Sequence, residues 1–207
     1  MRTIISTLLV LLFSTPIIAQ YERQQYIHKH LMRADASIVS GYMYKSGIKN
    51  VHVNGNLEYY MDNRISFRGD ANYLLGSSGI SDSMGFLHNH SVMLGTVFHI
   101  QTKGHFDPYF ILQPGIAYTQ SYKQRYFDDP DELGGRTSYP GVLSPLGTAG
   151  LGFNYYFQRF AHLFMEARYV YGQHLAEAPY PLSLEEVRIT FGLGFNAFII
   201  KEKKKPE

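Results

Sequence analysis

The sequence ends in a stretch whose side chains alternate strictly between two kinds. Residues 186–200 read EVRITFGLGFNAFII, and a period of two is the pattern of a β-strand whose faces meet different surroundings. One face is apolar and uncharged, with Val187, Ile189, Phe191, Leu193, Phe195, Ala197 and Ile199. The other face is mostly small or polar, with Arg188, Thr190, Gly192, Gly194, Asn196 and Phe198. We interpret this stretch as the strand that closes a narrow barrel in a lipid bilayer.

Seven earlier segments repeat the pattern and predict an all-β chain of eight antiparallel strands. The predicted strands cover residues 36–46, 51–61, 64–76, 88–101, 108–121, 146–157, 162–173 and 186–200. Short connections at 62–63, 102–107 and 158–161 fall on one side, and longer connections at 77–87, 122–145 and 174–185 fall on the other. This sorting predicts a transmembrane β-barrel with short periplasmic turns and longer extracellular loops. Pro114 lies within a predicted strand, where it removes a ladder donor, so we expect a bulge there.

Alternation alone does not say which face meets lipid, and a soluble barrel with an apolar interior is the alternative. The polar faces carry Gly, Ser, Thr and Asn with very little Lys, whereas a sheet that faces water carries more charge. Charged residues make up 17% of the chain, against roughly 25% in soluble domains. Tyrosines gather near the strand ends, as in interfacial girdles. These features favour lipid on the apolar side.

The two ends of the chain differ from the barrel region at 36–200. Residues 1–19 combine a basic start with a short apolar run and predict a signal peptide, with an uncleaved anchor as the alternative. Residues 20–35 are polar and are interpreted as a periplasmic lead-in, and residues 201–207 as a charged periplasmic tail. No later segment is apolar enough for a helical span. The chain has no cysteine, and its net charge of +2 gives no nucleic-acid footprint.

Six charged residues are predicted to face the lumen: Glu58, Arg68, Asp70, Glu166, Arg168 and Arg188. They are balanced in sign, and unpaired charge in a narrow barrel is costly, so we expect them to pair. A structural plug is the favoured interpretation, because eight strands enclose a space that side chains can fill. A gate or a narrow polar pore is the alternative.

Signals for metal or enzyme chemistry are weak. His28 and His30, and likewise His88 and His90, have H-x-H spacing, but two histidines do not make a closed zinc site. We therefore expect no metal and no cofactor. His90 and Ser91 are adjacent and point to opposite faces of a strand, and the sequence has no nucleophile-elbow motif. The acidic loop at 126–133 lacks the ligand spacing of an EF-hand and is interpreted as a solvated outer loop.

The chain resembles the eight-stranded outer-membrane β-barrel families, those of the OmpA transmembrane-domain, OmpX and OmpW type. The resemblance covers residues 36–200 and rests on LEYYMDNRISFRGDANYLLG, LGTAGLGFNYYF, LFMEARYVYG and VRITFGLGFNAF. It implies a monomer in the cell outer membrane, in contact with outer-membrane lipid and lipopolysaccharide. An envelope protein is the further partner that the resemblance allows. The expected role is non-enzymatic: structural, adhesive or partner-binding. A narrow solute channel and a lipid A-modifying hydrolase are the alternatives.

Overall fold

The computed structural model describes residues 26–79, 84–102, 104–124, 135–176 and 182–198. These residues form eight long β-strands and one short one. The strands are β1 (Leu31–Met43), β2 (Ile48–Tyr60), β3 (Ile65–Ser78), β4 (Met84–His99), β5 (Phe106–Gln124), β6 (Arg136–Ser138), β7 (Val142–Tyr156), β8 (Ala161–Gly172) and β9 (Glu186–Phe198). In this part of the chain no helix is long and apolar enough to cross a membrane.

The long strands close on themselves into an antiparallel barrel. Their order is β4-β3-β2-β1-β9-β8-β7-β5, and pairing of β4 with β5 joins the two edges. β1 and β9, from opposite ends of the chain, pair along almost their whole length. Closure leaves no free sheet edge among the eight long strands, which confirms the predicted barrel. We call the end with connections 61–64, 100–105 and 157–160 the turn end, and the opposite end the loop end.

Residues alternate between the interior and the outer surface along every long strand, with the predicted parity. On β2, His52, Asn54, Asn56 and Glu58 are buried, whereas the intervening Val53 and Leu57 are exposed on the outside. On β9, Arg188 and Thr190 are likewise buried, whereas Phe191 points outward and is 62% accessible. The outer surface is therefore a continuous apolar wall, and the polar faces enclose the lumen.

The start of β1 corrects the predicted lead-in at 20–35. The strand begins at Leu31 rather than 36, and Arg33 and Asp35 are buried in the lumen. Their outward neighbours Ala34 and Ala36 are small, so the start of β1 lacks the large apolar residues that indicate the outward face in the other strands. The predicted segments 1–19 and 201–207 lie outside the described residues, and so does the whole acidic loop at 126–133.

Two further expectations are wrong. The first is the bulge at Pro114. The β4–β5 and β5–β7 ladders keep their register past this residue, and Pro114 lies opposite Gly147, so β5 has no bulge there. Register shifts occur instead between Val51 and His52 on β2 and between Phe86 and His88 on β4. The predicted loop at 77–87 is also too long, because β3 and β4 extend into it and leave residues 79–83. At the loop end β5 likewise continues to Gln124 and pairs with β6.

Glycines on the inward face of β9 make room for bulky neighbours. A Cβ on Gly194 would collide with the Asp35 carboxylate and the His162 ring, and one on Gly192 with the ring of Phe164. The small residues of the closing strand therefore allow the interior to fill with large side chains from β1 and β8. This close packing is what an eight-stranded barrel permits.

Candidate functional site

The middle of the lumen is occupied by four ionised side chains from β3 and β8. Arg68 Nη2 lies 3.2 Å from Asp70 Oδ1 and 3.2 Å from Glu166 Oε2. Arg168 Nη2 lies 3.0 Å from Asp70 Oδ1, and its Nε contacts Glu166. Each acid thus touches both guanidinium groups, and two positive charges meet two negative ones. We call these residues, together with Gln113, the central network.

Neutral side chains complete the hydrogen bonding of the central network. Gln113 Nε2 donates to Asp70 Oδ2 at 2.7 Å, and its Oε1 accepts from Arg168 Nη1 at 2.8 Å. The Tyr109 hydroxyl donates to Glu166 Oε2 at 2.9 Å. Buried charges are tolerated when they are paired and their remaining lone pairs are bonded, and both conditions hold here. The network connects β3, β5 and β8 across the lumen.

A second cluster lies toward the turn end around Glu58. Arg33 Nη2 contacts Glu58, and Ser66 Oγ also donates to it. The His99 ring bridges two acids, with Nε2 2.9 Å from Glu58 Oε1 and Nδ1 3.0 Å from Asp107 Oδ1. Because each ring nitrogen faces a carboxylate, the doubly protonated imidazolium satisfies both acids. We call Arg33, Glu58, Ser66, His99 and Asp107 the turn-end cluster.

Arg188, the last of the six predicted lumen charges, lies nearer the loop end. Its Nε donates to Glu186 Oε2 at 2.6 Å, and Asn50 Nδ2 donates to Glu186 Oε1 at 2.8 Å. Arg188 is also the cross-strand neighbour of Arg168. The structure therefore brings four of the predicted residues into one network and places Glu58 and Arg188 in neighbouring clusters.

Apolar side chains occupy the lumen on both sides of these charges. The loop-end plug consists of Met43, Ile48, Leu74, Phe86, Met93, Ala117, Leu146, Val170, Leu182 and Leu184. The turn-end cap consists of Tyr26, Ile27, Leu31, Tyr60 and Tyr156, with the Tyr26 ring stacked on that of Tyr156 at 5.0 Å. Between them a cavity of about 10 Å³ borders Asn54, Glu166 and Arg188, which is about the space of one water molecule.

Three residues of the turn-end cluster have the connectivity of a hydrolase triad. Ser66 Oγ lies 3.1 Å from His99 Nε2, and His99 Nδ1 lies 3.0 Å from Asp107 Oδ1. However, Glu58 also faces Nε2 and accepts the Ser66 proton. An imidazole whose nitrogens both face carboxylates is poorly suited to accept a proton from serine. All three residues are buried.

The histidine pairs have local partners on the outer surface. His30 Nδ1 lies 2.5 Å from the Tyr59 hydroxyl, and His88 Nδ1 lies 3.1 Å from His90 Nε2. The Leu74 backbone N–H donates to His90 Nδ1 at 3.1 Å, so a neutral His90 carries its proton on Nε2. Within the described ranges no group of three or more metal-ligating side chains occurs.

Further charged residues of the lumen were not among the six predicted from the sequence. Arg33 belongs to the part of β1 that was interpreted as a lead-in, Asp107 was assigned to a turn, and Glu186 opens its strand. Extending the alternation backwards from Ser37 through Asp35 would have found Arg33. The contacts of Ser66, His99 and Asp107 come from three strands, and no local spacing signals them.

Comparison with known proteins agrees with this architecture at the level of fold. The chain is similar to the outer membrane protein OprG from Pseudomonas aeruginosa, with a TM-score of 0.54 and 12% identity over 84% of this chain and 98% of that one. It is also similar to Neisserial surface protein A, with a TM-score of 0.52 and 14% identity over 80% of this chain and 95% of that one. The fold is that of the eight-stranded outer-membrane β-barrels. No protein-family model and no curated protein matches the sequence.

Proposed function

We propose that this chain is an integral outer-membrane barrel with a closed lumen and a structural, adhesive or partner-binding role in the cell envelope. The observation that carries the proposal is the contrast between the two faces of the wall. The outside is apolar, whereas the inside is filled with ion pairs and capped by apolar clusters. Such a barrel satisfies its backbone hydrogen bonds internally and exposes an apolar surface to lipid.

The filled lumen favours this role over that of a solute channel. A channel needs a continuous polar path, and the loop-end plug and turn-end cap flank the charged region on both sides. Loops on a rigid barrel are suitable sites for contact with other molecules. We therefore place any adhesive or envelope-partner contact at the loop end and treat the barrel as a monomeric scaffold in contact with lipid and lipopolysaccharide.

The direct test is recovery of the full chain from a bacterium with two membranes. We expect it in the outer-membrane fraction after separation of the two membranes by density, and cross-linking on whole cells should capture any protein bound at the loop end. Recovery in the soluble fraction would contradict the proposal.

A hydrolase is the second candidate because Ser66, His99 and Asp107 are correctly connected. Glu58 on the shared His99 nitrogen argues against it. We expect no release of fatty acid from phospholipid or lipid A by the purified protein. Release that is abolished by Ser66→Ala, in a variant that keeps its barrel circular dichroism, would establish the enzyme instead.

A further inference from the structure

Residues 26–30 cross the mouth of the barrel at the turn end, and we call them the strap. The strap precedes β1, and its Tyr26 ring stacks on that of Tyr156 at the end of β7. The Tyr26 hydroxyl lies 3.1 Å from Nδ1 of His105, in the connection between β4 and β5. β4 and β7 each lie three strands from β1, and β5 lies four, so these contacts are on the far side of the barrel. The strap therefore spans the opening instead of following its rim.

The strap is held in the mouth mainly by two side chains. Ile27 is buried in the turn-end cap and Tyr26 is half-buried there, whereas Lys29 is exposed. The Lys29 backbone N–H donates to Asn63 Oδ1 at 3.2 Å, in the connection between β2 and β3. Because β1 begins only at Leu31, the strap lies outside the β-ladders. It can therefore leave the mouth without breaking a strand.

His30 joins the strap to β1 in an uncommon backbone conformation. Its φ is +67°, and it is the one residue other than glycine with a positive φ in the described part of the chain. Such a conformation persists where neighbouring contacts hold it. Here the His30 N–H donates to the Tyr60 carbonyl at 2.9 Å, and His30 Nδ1 lies 2.5 Å from the Tyr59 hydroxyl. A strap that leaves the mouth lets this residue return to an ordinary conformation, so His30 is suited to be the hinge.

Polar atoms in the turn-end half of the lumen favour contact with water. Among the described residues, the Tyr60 hydroxyl and both carboxylate oxygens of Asp35 are buried without a hydrogen-bond partner in the protein. Asp35 is left with ion-pair contacts, to Arg33 Nε at 3.6 Å and to His162 Nε2 at 3.3 Å. A buried polar atom without a partner loses the hydrogen bond that it would make in water. Hydration of these atoms thus offsets the exposure of Ile27 when the strap lifts.

The plug at the opposite end is fixed more firmly. Leu182 and Leu184 are buried in the apolar cluster of the loop-end plug. The His174 N–H donates to the Leu182 carbonyl at 2.9 Å, and the Leu184 N–H donates to the Gly172 carbonyl at 2.9 Å. These backbone bonds hold the plug segment against the end of β8, so we expect it to stay in place when the strap moves.

We propose that the strap is a hinged lid that lifts about His30 and admits water to the turn-end half of the lumen while the loop-end plug stays closed. Its departure removes Tyr26 and Ile27 from the turn-end cap and leaves the central network in place. The barrel then becomes wet from one end without becoming a channel. The inference goes beyond the proposed function, and its test needs only the folded barrel.

The test measures the access of water-soluble reagent to single thiols, since the chain has no cysteine of its own. Ser66→Cys places a thiol in the turn-end cluster, and Ser91→Cys places one in the loop half of the lumen; both serines are buried. The full chain is folded in detergent micelles and treated with methyl methanethiosulfonate, and intact mass spectrometry follows the modification. We expect the thiol at position 66 to react about tenfold faster than that at position 91, because local opening exposes it.

The strap is tested by Tyr26→Ala together with Ile27→Ser, which removes the two side chains that hold it. This double variant should raise the reaction rate at position 66 by about fivefold or more and leave the rate at position 91 unchanged. Lys29→Ala is the matched control in the same segment, because Lys29 is exposed and its backbone makes the contact to Asn63. It should leave both rates unchanged. Circular dichroism checks that each variant keeps its barrel.

Two results would overturn the lid. One is an equal rate at position 66 in the double variant and in Lys29→Ala, because the strap would then not control access. The other is a faster reaction at both positions in the double variant, because the whole barrel would then have loosened.

Discussion

The central network and the turn-end cluster are both buried and ionic, yet they differ in composition. The central network contains two acids and two arginines, and every charge has two partners of opposite sign. The turn-end cluster has a single arginine for two acids and depends on His99 for its second positive charge. The central network is therefore balanced by permanently charged groups, whereas the balance near the turn end depends on whether a histidine is protonated.

Asp70→Asn should have the largest effect on stability. Asp70 is the acid that both Arg68 and Arg168 contact at about the same distance, so its neutralisation leaves excess positive charge in the lumen. Breaking a buried pair in this way costs about 3–5 kcal/mol. Denaturant unfolding in vesicles would measure the loss of unfolding free energy. Asp62→Asn, in the exposed connection between β2 and β3, is the control and should change it by less than about 0.5 kcal/mol. An Asp70→Asn loss as small as that of the control would mean that the central network adds no stability.

His99→Gln should have a smaller effect than Asp70→Asn. The glutamine amide can still hydrogen-bond one of the two acids, and Asp107 keeps Asn154 Nδ2 at 2.7 Å while Glu58 keeps Arg33. The cluster then has one arginine for two acids, and a proton taken up by the acid pair replaces the charge that His99 supplied. Loss of one charged hydrogen bond then predicts a cost of about 1–3 kcal/mol in the same unfolding experiment. A loss larger than that of Asp70→Asn would reverse the comparison between the two clusters.

The ion pair between Lys45 and Glu185 at the loop end should have the smallest effect on stability. It can be followed through the titration of the Glu185 carboxyl group. Hydrogen bonds from Lys45, and then from Tyr44 and Tyr169, lower the pKa of Glu185 to about 2. Because this folded-state pKa lies below the usual value of roughly 4.3, the stabilisation is present above that value and is lost as the pH falls toward 2. The carboxyl carbon shift of Glu185 should follow this midpoint by NMR.

Lys45→Gln provides the matched test of that titration. Removal of its first hydrogen-bond donor should move the Glu185 midpoint upward toward the usual value, while the two tyrosines still hold it somewhat below. An ordinary midpoint in the wild type would show that this ion pair does not form.

The same difference between the clusters explains what could be predicted from the sequence. Arg68, Asp70, Glu166 and Arg168 lie on strands whose outward face also carries large apolar residues, so the period of two placed them inside; these outward residues are Phe67, Tyr73, Met165 and Tyr169. Arg33 was missed because Ala34 and Ala36 give a weak outward signal. The loop-end plug was also missed. Leu74 and Met93 point inward but are apolar, and so are their outward-facing sequence neighbours, so the alternation of polar and apolar residues does not show which face they occupy. Contacts between distant strands, such as Ser66 with His99, depend on the register of closure.

Conductance in planar lipid bilayers is the most direct test of the closed lumen. The protein should be inserted from vesicles in which protease protection has shown that the barrel spans the membrane. Because the central network, the loop-end plug and the turn-end cap occupy the interior, we predict no stable step of porin size. Stable, large steps from the wild type would contradict a lumen closed by paired charges and apolar seals.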